Sequence, residues 1–414
     1  MGVVAAVVVA GGVYLVADRL GYDEQIEGPN SAYPEALGST APEDLSNVVA
    51  LANDPRIVDG LRVERVDFDQ DDYTEDLGVA AFDLRTGEEY WSYRRESADL
   101  SRLTVADGQV YALWSDGLLV RFDPRTAEPT WHAESDDTDG VRYLRATDET
   151  VAVVGESNVT GFRASDGERA WSTSLPGDCG LNRALATGGA IVVKRGCGND
   201  GDRVTLVGPD GEPTGVDSGD VTYLVRFGEG RFGVSDLFGE TVVYSADSGE
   251  RVATVPPAGD AFASYHDGDG ELLVADSPDA TEEGDIAYMA WDVADNSELW
   301  SVATDGTWMA QGRPWLVDGR VYALRRDIGD ATTRELVAYD AADGTELAAA
   351  TIDLDEHLTL TEYDRDSFSY SSDVWVTVSN AADGTITVTI AAPFPGRGTS
   401  GHCGERCSRV YAAP

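Results

Sequence analysis

The residues of this 414-residue chain that could carry chemistry are four cysteines, four histidines and several carboxylate runs, and their spacing restricts what that chemistry is. Cys179 and Cys197 flank a run that reads as a hairpin turning at Gly188-Gly189. A two-residue turn there sets Thr187 opposite Ala190 and brings Cys197 within one residue of Cys179's register, so a small bulge would permit a cross-strand disulfide. Cys403 and Cys407 enclose three residues of a glycine-rich tail and are read as a second, small disulfide loop. Zinc would ask for Cys-x2-Cys pairs with histidines nearby, and only His402 is adjacent, so no metal site is assigned. His132 follows a tryptophan, His266 sits in the turn-like Tyr265-His266-Asp267-Gly268, and His357 and His402 fall in expected loops. No Gly-x-Ser-x-Gly elbow, phosphate-binding loop or His-Glu-x-x-His is present, and no catalytic residue is assigned.

The stretch Asp67-Phe68-Asp69-Gln70-Asp71-Asp72 has the alternating carboxylates of a calcium loop. An EF-type loop needs glycine at its sixth position and glutamate at its twelfth, and Asp72 and Gly78 stand there. It reads as a solvated loop, as does Thr281-Glu282-Glu283-Gly284-Asp285. Asp plus Glu number 75 against 30 Lys plus Arg, a formal charge of −45, which excludes nucleic acid as a partner because phosphate binding needs clustered cations. Lys194 is the one lysine of the chain.

These residues must be held by something, and the chain suggests what. Val3 to Val16 is apolar apart from two glycines and Tyr14, and Asp18 and Arg19 end the run. Residues 1–20 are read as a signal-anchor helix, with a signal peptide or a buried strand as alternatives. Residues 21–46 are polar, with Pro29, Pro34 and Pro42, and read as a flexible tether leading to a domain over 47–414. Disulfides and an anchor together place that domain on the extracytoplasmic side of a single-pass membrane protein.

One pattern recurs through the domain. Its clearest copy runs Ala81-Phe82-Asp83, then Gly87, then Tyr90-Trp91. The second has Phe122-Asp123, Ala127 and Trp131, and the third Phe162-Arg163, Gly167 and Trp171. A degenerate fourth keeps Gly211, the fifth Gly249, the sixth Asp292, Asn296 and Trp300, and the seventh Asp340 and Gly344. From Gly87 through Ala127, Gly167, Gly211, Gly249 and Asn296 to Gly344 the steps are 40, 40, 44, 38, 47 and 48 residues. Asp can accept backbone N–H bonds inside a turn, and glycine allows the positive φ a turn requires. The small residue Ala81 is expected to leave room for a bulky group of the adjacent sheet. A second hairpin signal recurs upstream, as in Ala106-Asp107-Gly108-Gln109 and Val317-Asp318-Gly319-Arg320. Each period therefore holds about four short strands, one propeller blade.

The unit small-x-Asp-x-x-x-Gly-x-x-x-Trp resembles the tryptophan-docking motif of the PQQ-like, quinoprotein-type β-propellers, and Ala81 to Trp91 matches every fixed position. The other copies depart at one or more: Ala127 and Asn296 stand for Gly, Arg163 for Asp, and the fifth and seventh copies lose the tryptophan. The resemblance covers about residues 55 to 395 and implies an all-β propeller. Alternating strands over 373–379 and 385–391 lie one period beyond the seventh copy, so eight blades are expected, with seven as the alternative. A quinone enzyme resembling this fold would bring a vicinal cysteine pair, calcium ligands and several arginines for the three carboxylates of PQQ. The cysteines here are never adjacent; Arg163, Arg183, Arg195 and Arg325 are the arginines considered for such a site. No cofactor is assigned, PQQ and calcium remaining the alternatives. The expected function is a non-enzymatic binding or scaffold module with a protein or envelope partner. A divergent PQQ- or metal-dependent oxidoreductase and a polysaccharide-binding propeller, using Trp114, Trp308 or Trp315, are the alternatives.

Overall fold

A computed structural model describes residues 22–34, 56–68 and 77–353 apart from short loop stretches, with backbone alone at Ser264–Gly268. It also gives the backbone of strands at Val4–Val9, Gly12–Ala17, Ser46–Ala50, Trp375–Asn380, Ile386–Ala391 and Ser408–Ala413. These residues are all-β, arranged as eight antiparallel sheets that follow one another along the chain. The second sheet is typical, with strands Leu100–Ala106, Gln109–Trp114, Leu118–Phe122 and Pro129–Glu134 side by side. The first strands of successive sheets touch in series. Arg56–Val58 meets Leu100–Ala106, which meets Tyr143–Ala146, then Gly180–Thr187, Tyr223–Arg226, Ser264–Gly268, Trp315–Val317 and Trp375–Asn380. These strands line the axis, and the fourth strands lie outermost except in the first sheet, which amino-terminal strands extend.

Two local signals build each sheet. Between the first and second strands, Asp59-Gly60, Asp107-Gly108, Gly188-Gly189 and Asp318-Gly319 hold positive φ at both positions. They leave the pairs Val58–Leu61, Ala106–Gln109, Thr187–Ala190 and Val317–Arg320 in register. Such two-residue turns match the twist of the strands they join. Between the third and fourth strands the repeat residue takes positive φ in all seven copies, including Ala127 at 58° and Asn296 at 49°, where the sequence departs from glycine. Six sheets share a feature absent from the linear pattern. The register slips one step at the repeat position that Ala81 holds in the first copy, between Ala81 and Phe82, Arg121 and Phe122, Gly161 and Phe162, Val243 and Tyr244, Ala290 and Trp291, and Ala338 and Tyr339. A bulge at one place in each repeat bends the outer strand equally each time.

The amino-terminal expectations change. Residues 1–20 were read as a helix, but Val4–Val9 and Gly12–Ala17 pair as antiparallel strands. Among the described residues no helix is long and apolar enough to cross a membrane. Valine's β-branch favours an extended chain wherever a partner strand is at hand. The tether also shortens. Glu24–Glu27 pairs with Glu89–Arg95 on one side and Gly12–Ala17 on the other, extending the first sheet, and Ile26, Tyr22 and Tyr33 pack into its core. Ser46–Ala50, at the other end of the expected tether, pairs with Ser408–Ala413 and completes the last sheet from the opposite end of the chain.

Candidate functional site: an arginine-lined axial mouth

The repeat residues serve to join sheets. Indole N–H groups donate from Trp91 to the Pro124 carbonyl (2.7 Å), Trp131 to Ala164 (2.9 Å), Trp171 to Pro209 (2.8 Å) and Trp300 to Ala341 (2.8 Å). Each acceptor belongs to the third-to-fourth-strand turn of the next sheet. The indole face covers that turn's glycine: a Cβ on Gly167 would sit 2.6 Å from Trp131, on Gly211 2.6 Å from Trp171, and on Gly344 2.8 Å from Trp300. Asp83, Asp123, Asp292 and Asp340 accept N–H bonds from Thr86, Arg125, Asp295 and Ala342 inside the turns. Gly87 and Gly249 close the same turns by donating to the carbonyls of Asp83 and Ser245. The small residue makes room in its own sheet, not the adjacent one as expected. Ala81, Gly161 and Ala290 stand opposite Trp91, Trp171 and Trp300, and a Cβ on Gly161 would be 2.3 Å from Trp171.

With the motif absorbed in packing, the candidate site lies at the axis. A cavity of about 270 Å³ opens among the first strands of the second to fifth sheets, lined by Thr104, Arg145, Arg183, Leu185 and Arg226 with intervening alanines and Val105. Arginine recurs there because the first strand of each of the first five sheets carries one: Arg56, Arg102, Arg145, Arg183 and Arg226. Across all eight first strands the one acidic position is Asp267, in a chain of charge −45. Arg145 donates through Nε to the Ala184 carbonyl (2.8 Å) of the next sheet, and Arg102 likewise to Arg142 (2.9 Å). Arg183 remains in contact with water, yet the surrounding ring removes enough solvent to lower its pKa, and Arg313 of the seventh sheet lowers it further. Burial and the guanidiniums of Arg65 and Arg142 lower Arg102 similarly. Like charges thus reinforce one another along the mouth.

Of the four arginines considered from sequence, only Arg183 reaches this cavity. Arg163 is exposed and pairs with Asp166 (3.1 Å) and Glu168 of its own turn. Arg195 is buried and donates to the Gly177 carbonyl, and Arg325 is held between Glu335 (2.7 Å) and Glu346 (3.0 Å). Arg145 and Arg226 were missed, although arginine in the first strand of successive repeats was a signal in plain view. Cys179 and Cys197 form the expected disulfide, the bulge falling between Leu181 and Arg183. Cys403 and Cys407, like His357 and His402, lie outside the described residues. Lys194 pairs with Asp202 (2.8 Å). Trp114 is buried, and Trp308 stacks on Tyr288 beneath Arg325. Asp285 accepts N–H bonds from Thr281 and Glu282, closing its own loop, and residues 69–72 of the acidic stretch lie outside the described residues. His132 meets the buried Glu24 carboxylate (2.5 Å), which also accepts from Tyr93 (2.6 Å), and so fixes the amino-terminal strand across two sheets.

The mouth can hold oxyanions in guanidinium forks. A pyrroloquinoline quinone does not fit it: the lining offers no ring to stack on the flat cofactor and no carboxylate for the accompanying cation. No group of three or more metal-ligating side chains occurs among the described residues.

A family model described as "Outer membrane protein assembly factor BamB", of the PQQ-like repeat type, matches residues 73–211. No curated protein sequence matches the chain. Among solved structures, the computationally designed Ika8 protein is 13% identical, covering 91% of this chain and 100% of its own, with a TM-score of 0.50. BamB from Moraxella catarrhalis is 11% identical, covering 89% and 100%, with a TM-score of 0.47. Quinohemoprotein alcohol dehydrogenase from Comamonas testosteroni is 15% identical, covering 94% and 76%, with a TM-score of 0.45. Likeness at 11–15% identity bears on fold alone, so activity is argued from this chain's own residues. Residues 73–211 match PQQ-like repeats, and the same turns and a docked tryptophan continue the pattern as far as Gly344.

Proposed function

We propose that this protein is a non-catalytic binding scaffold that works outside the cytoplasm. The observation that carries this reading is the axial mouth: its guanidiniums can hold a ligand, and its lining contains no nucleophile–base pair and no metal ligands. The Cys179–Cys197 disulfide supports an oxidising compartment. The eight sheets act as eight blades, with Ser46–Ala50 closing the ring as outermost strand of the last. The match of 73–211 to an assembly-factor family supports a protein partner, and the acidic body disfavours nucleic acid. Attachment to the membrane through residues 1–20 is the finer part of the proposal. It stands if the full chain stays with membranes through an alkaline wash, and falls if the chain is released as a soluble protein.

The functional reading is tested by native mass spectrometry of the full chain, purified from an oxidising host and incubated with PQQ and calcium. The expected spectrum shows the protein mass alone. A stoichiometric PQQ adduct that survives buffer exchange overturns the scaffold in favour of an oxidoreductase.

A further inference from the structure

Resting on the scaffold reading, we infer that the axial mouth binds a short acidic segment of a partner polypeptide, with Arg145, Arg183 and Arg226 receiving its carboxylates. Three observations converge. The first is charge placement. The body of the protein is strongly acidic, whereas the first strands carry five arginines against one aspartate. A cationic recess inside an anionic shell focuses the field on the recess. The shell repels a generally acidic protein, so a partner must present its negative charge locally, on a protruding segment.

The second observation is pairing. Several arginines away from the cavity are matched with carboxylates: Arg95 with Asp116, Arg163 with Asp166 and Glu168, Arg169 with Asp136, and Arg325 with Glu335 and Glu346, and Arg142 beside the mouth is matched with Glu156. Among the described residues Arg183, Arg226 and Arg313 have no carboxylate partner, although 75 acidic residues are available in the chain. Arg183 and Arg313 instead press on one another. Relief of that repulsion is stabilisation that a carboxylate ligand would supply.

The third is extent. The cavity itself, about 270 Å³, is small for a whole ligand and suits one or two side chains. The cationic strip runs further, from Arg65 and Arg102 beside the first two sheets, through Arg145, Arg183 and Arg226, to Arg313 of the seventh. Charges spread over that arc match carboxylates spaced along an extended chain better than charges concentrated on one small molecule.

The test uses the full chain from an oxidising host and a fluorescent hexaglutamate peptide, with hexaglutamine and citrate as comparisons. Hexaglutamate is expected to bind with an affinity that falls as salt rises, hexaglutamine not at all, and citrate more weakly than the peptide. Arg183→Glu and Arg226→Glu should each lower peptide affinity by about tenfold or more, the scale of a lost charge-assisted hydrogen bond. Arg163→Glu, on an exposed turn of the same net charge change, should leave it unaltered. Both channel side chains are solvent-exposed, and an unchanged thermal transition shows that the variants fold. The inference is overturned if Arg183→Glu and Arg226→Glu bind like the wild type. It is also overturned if citrate binds as tightly as hexaglutamate, which would mark a site for small anions. A missing PQQ adduct together with missing peptide binding defeats this inference and leaves the scaffold standing, so the two failures are separable.

Discussion

The joints from the first sheet to the fourth run through three tryptophans, whereas the joint between the fourth and fifth sheets has none. On the tryptophan side, Trp91, Trp131 and Trp171 each cover a turn of the next sheet and donate to one carbonyl of it. On the other side, Leu206, Val216, Leu224, Phe232 and Tyr244 pack as a cluster, with hydroxyl bonds across from Tyr244 to the Asp217 carbonyl (2.7 Å) and from Thr187 to the Gly228 carbonyl (2.9 Å) but no indole. The next joint likewise rests on Phe227, Val243, Val255, Leu273 and Met289. An indole supplies area and one directed donor, so it fixes both the spacing and the offset of two sheets. Aliphatic packing supplies area without direction. The lesson is that the fold tolerates loss of its signature residue where total burial is kept. The fifth and seventh copies, with Ala253 and Ala348 where the tryptophan would stand, still take their places in the series.

The comparison can be broken most severely at Trp91, which is fully buried. Trp91→Ala should destabilise the protein by about 4 kcal/mol, the scale for truncating a buried large aromatic residue. Val216→Ala should lose about 2 kcal/mol, mostly buried apolar area. Urea unfolding of both variants checks this, and equal losses would mean that the tryptophan joints are not special. Reduction of Cys179–Cys197, which spans 18 residues, should cost about 3 kcal/mol from the freed unfolded chain. Unfolding curves with and without reductant read that loss, and hydrogen exchange should localise it to Gly180–Gly196 and the aliphatic joint beyond.

The turn glycines sharpen the contrast. Gly167→Ala combines a φ of +74° with a Cβ 2.6 Å from Trp131, and should cost about 3 kcal/mol from strain and overpacking. Gly249→Ala has similar backbone strain, but its nearest neighbour is Thr214 at 3.4 Å, so about 1 kcal/mol is expected. Thermal shifts that fail to separate the two would show that the indole yields as readily as an aliphatic side chain. The smallest effect concerns the first joint's ion pair. Arg95 and Asp116 meet at 2.7 Å. Burial alone would raise the Asp116 carboxyl, but bonds from Arg95 and the Leu118 N–H outweigh it and hold the pKa below its usual value. The pair's stabilisation is therefore present above about pH 4, the ordinary carboxylate value. It fades as pH falls through the lower folded value. Asp116→Asn should lose about 1 kcal/mol at pH 7, since the aspartate is partly solvated and screened. The variant and wild type should converge as pH falls through the folded value, as followed by acid titration of the unfolding free energy.

Much of this was legible beforehand because turn chemistry is local. The Asp-Gly and Gly-Gly pairs set hairpin registers from two residues, and the Cys179–Cys197 bond followed from one such register. The Asp83–Gly87 unit specified its turn wherever it recurred. Ala127 and Asn296 show the reach of that rule, since the turn and its positive φ persist at both without glycine. The apolar amino-terminal run was harder. Hydropathy gives the same signal for a helix in lipid and a strand in a sheet, and the pairing of Val4–Val9 with Gly12–Ala17 depends on the sheet beside it.

The sequence by itself determined the repeat, the sheet as its unit, the disulfide and the residues that dock one sheet on the next, because each depends on neighbours within about one period. Only the tertiary structure decided that Arg145, Arg183 and Arg226 share a cavity while Arg163, Arg195 and Arg325 do not, and that Glu24 reaches Tyr93 and His132. Those encounters join residues from different sheets, and no periodicity along one strand records which sheets lie side by side or which side chains turn toward the axis.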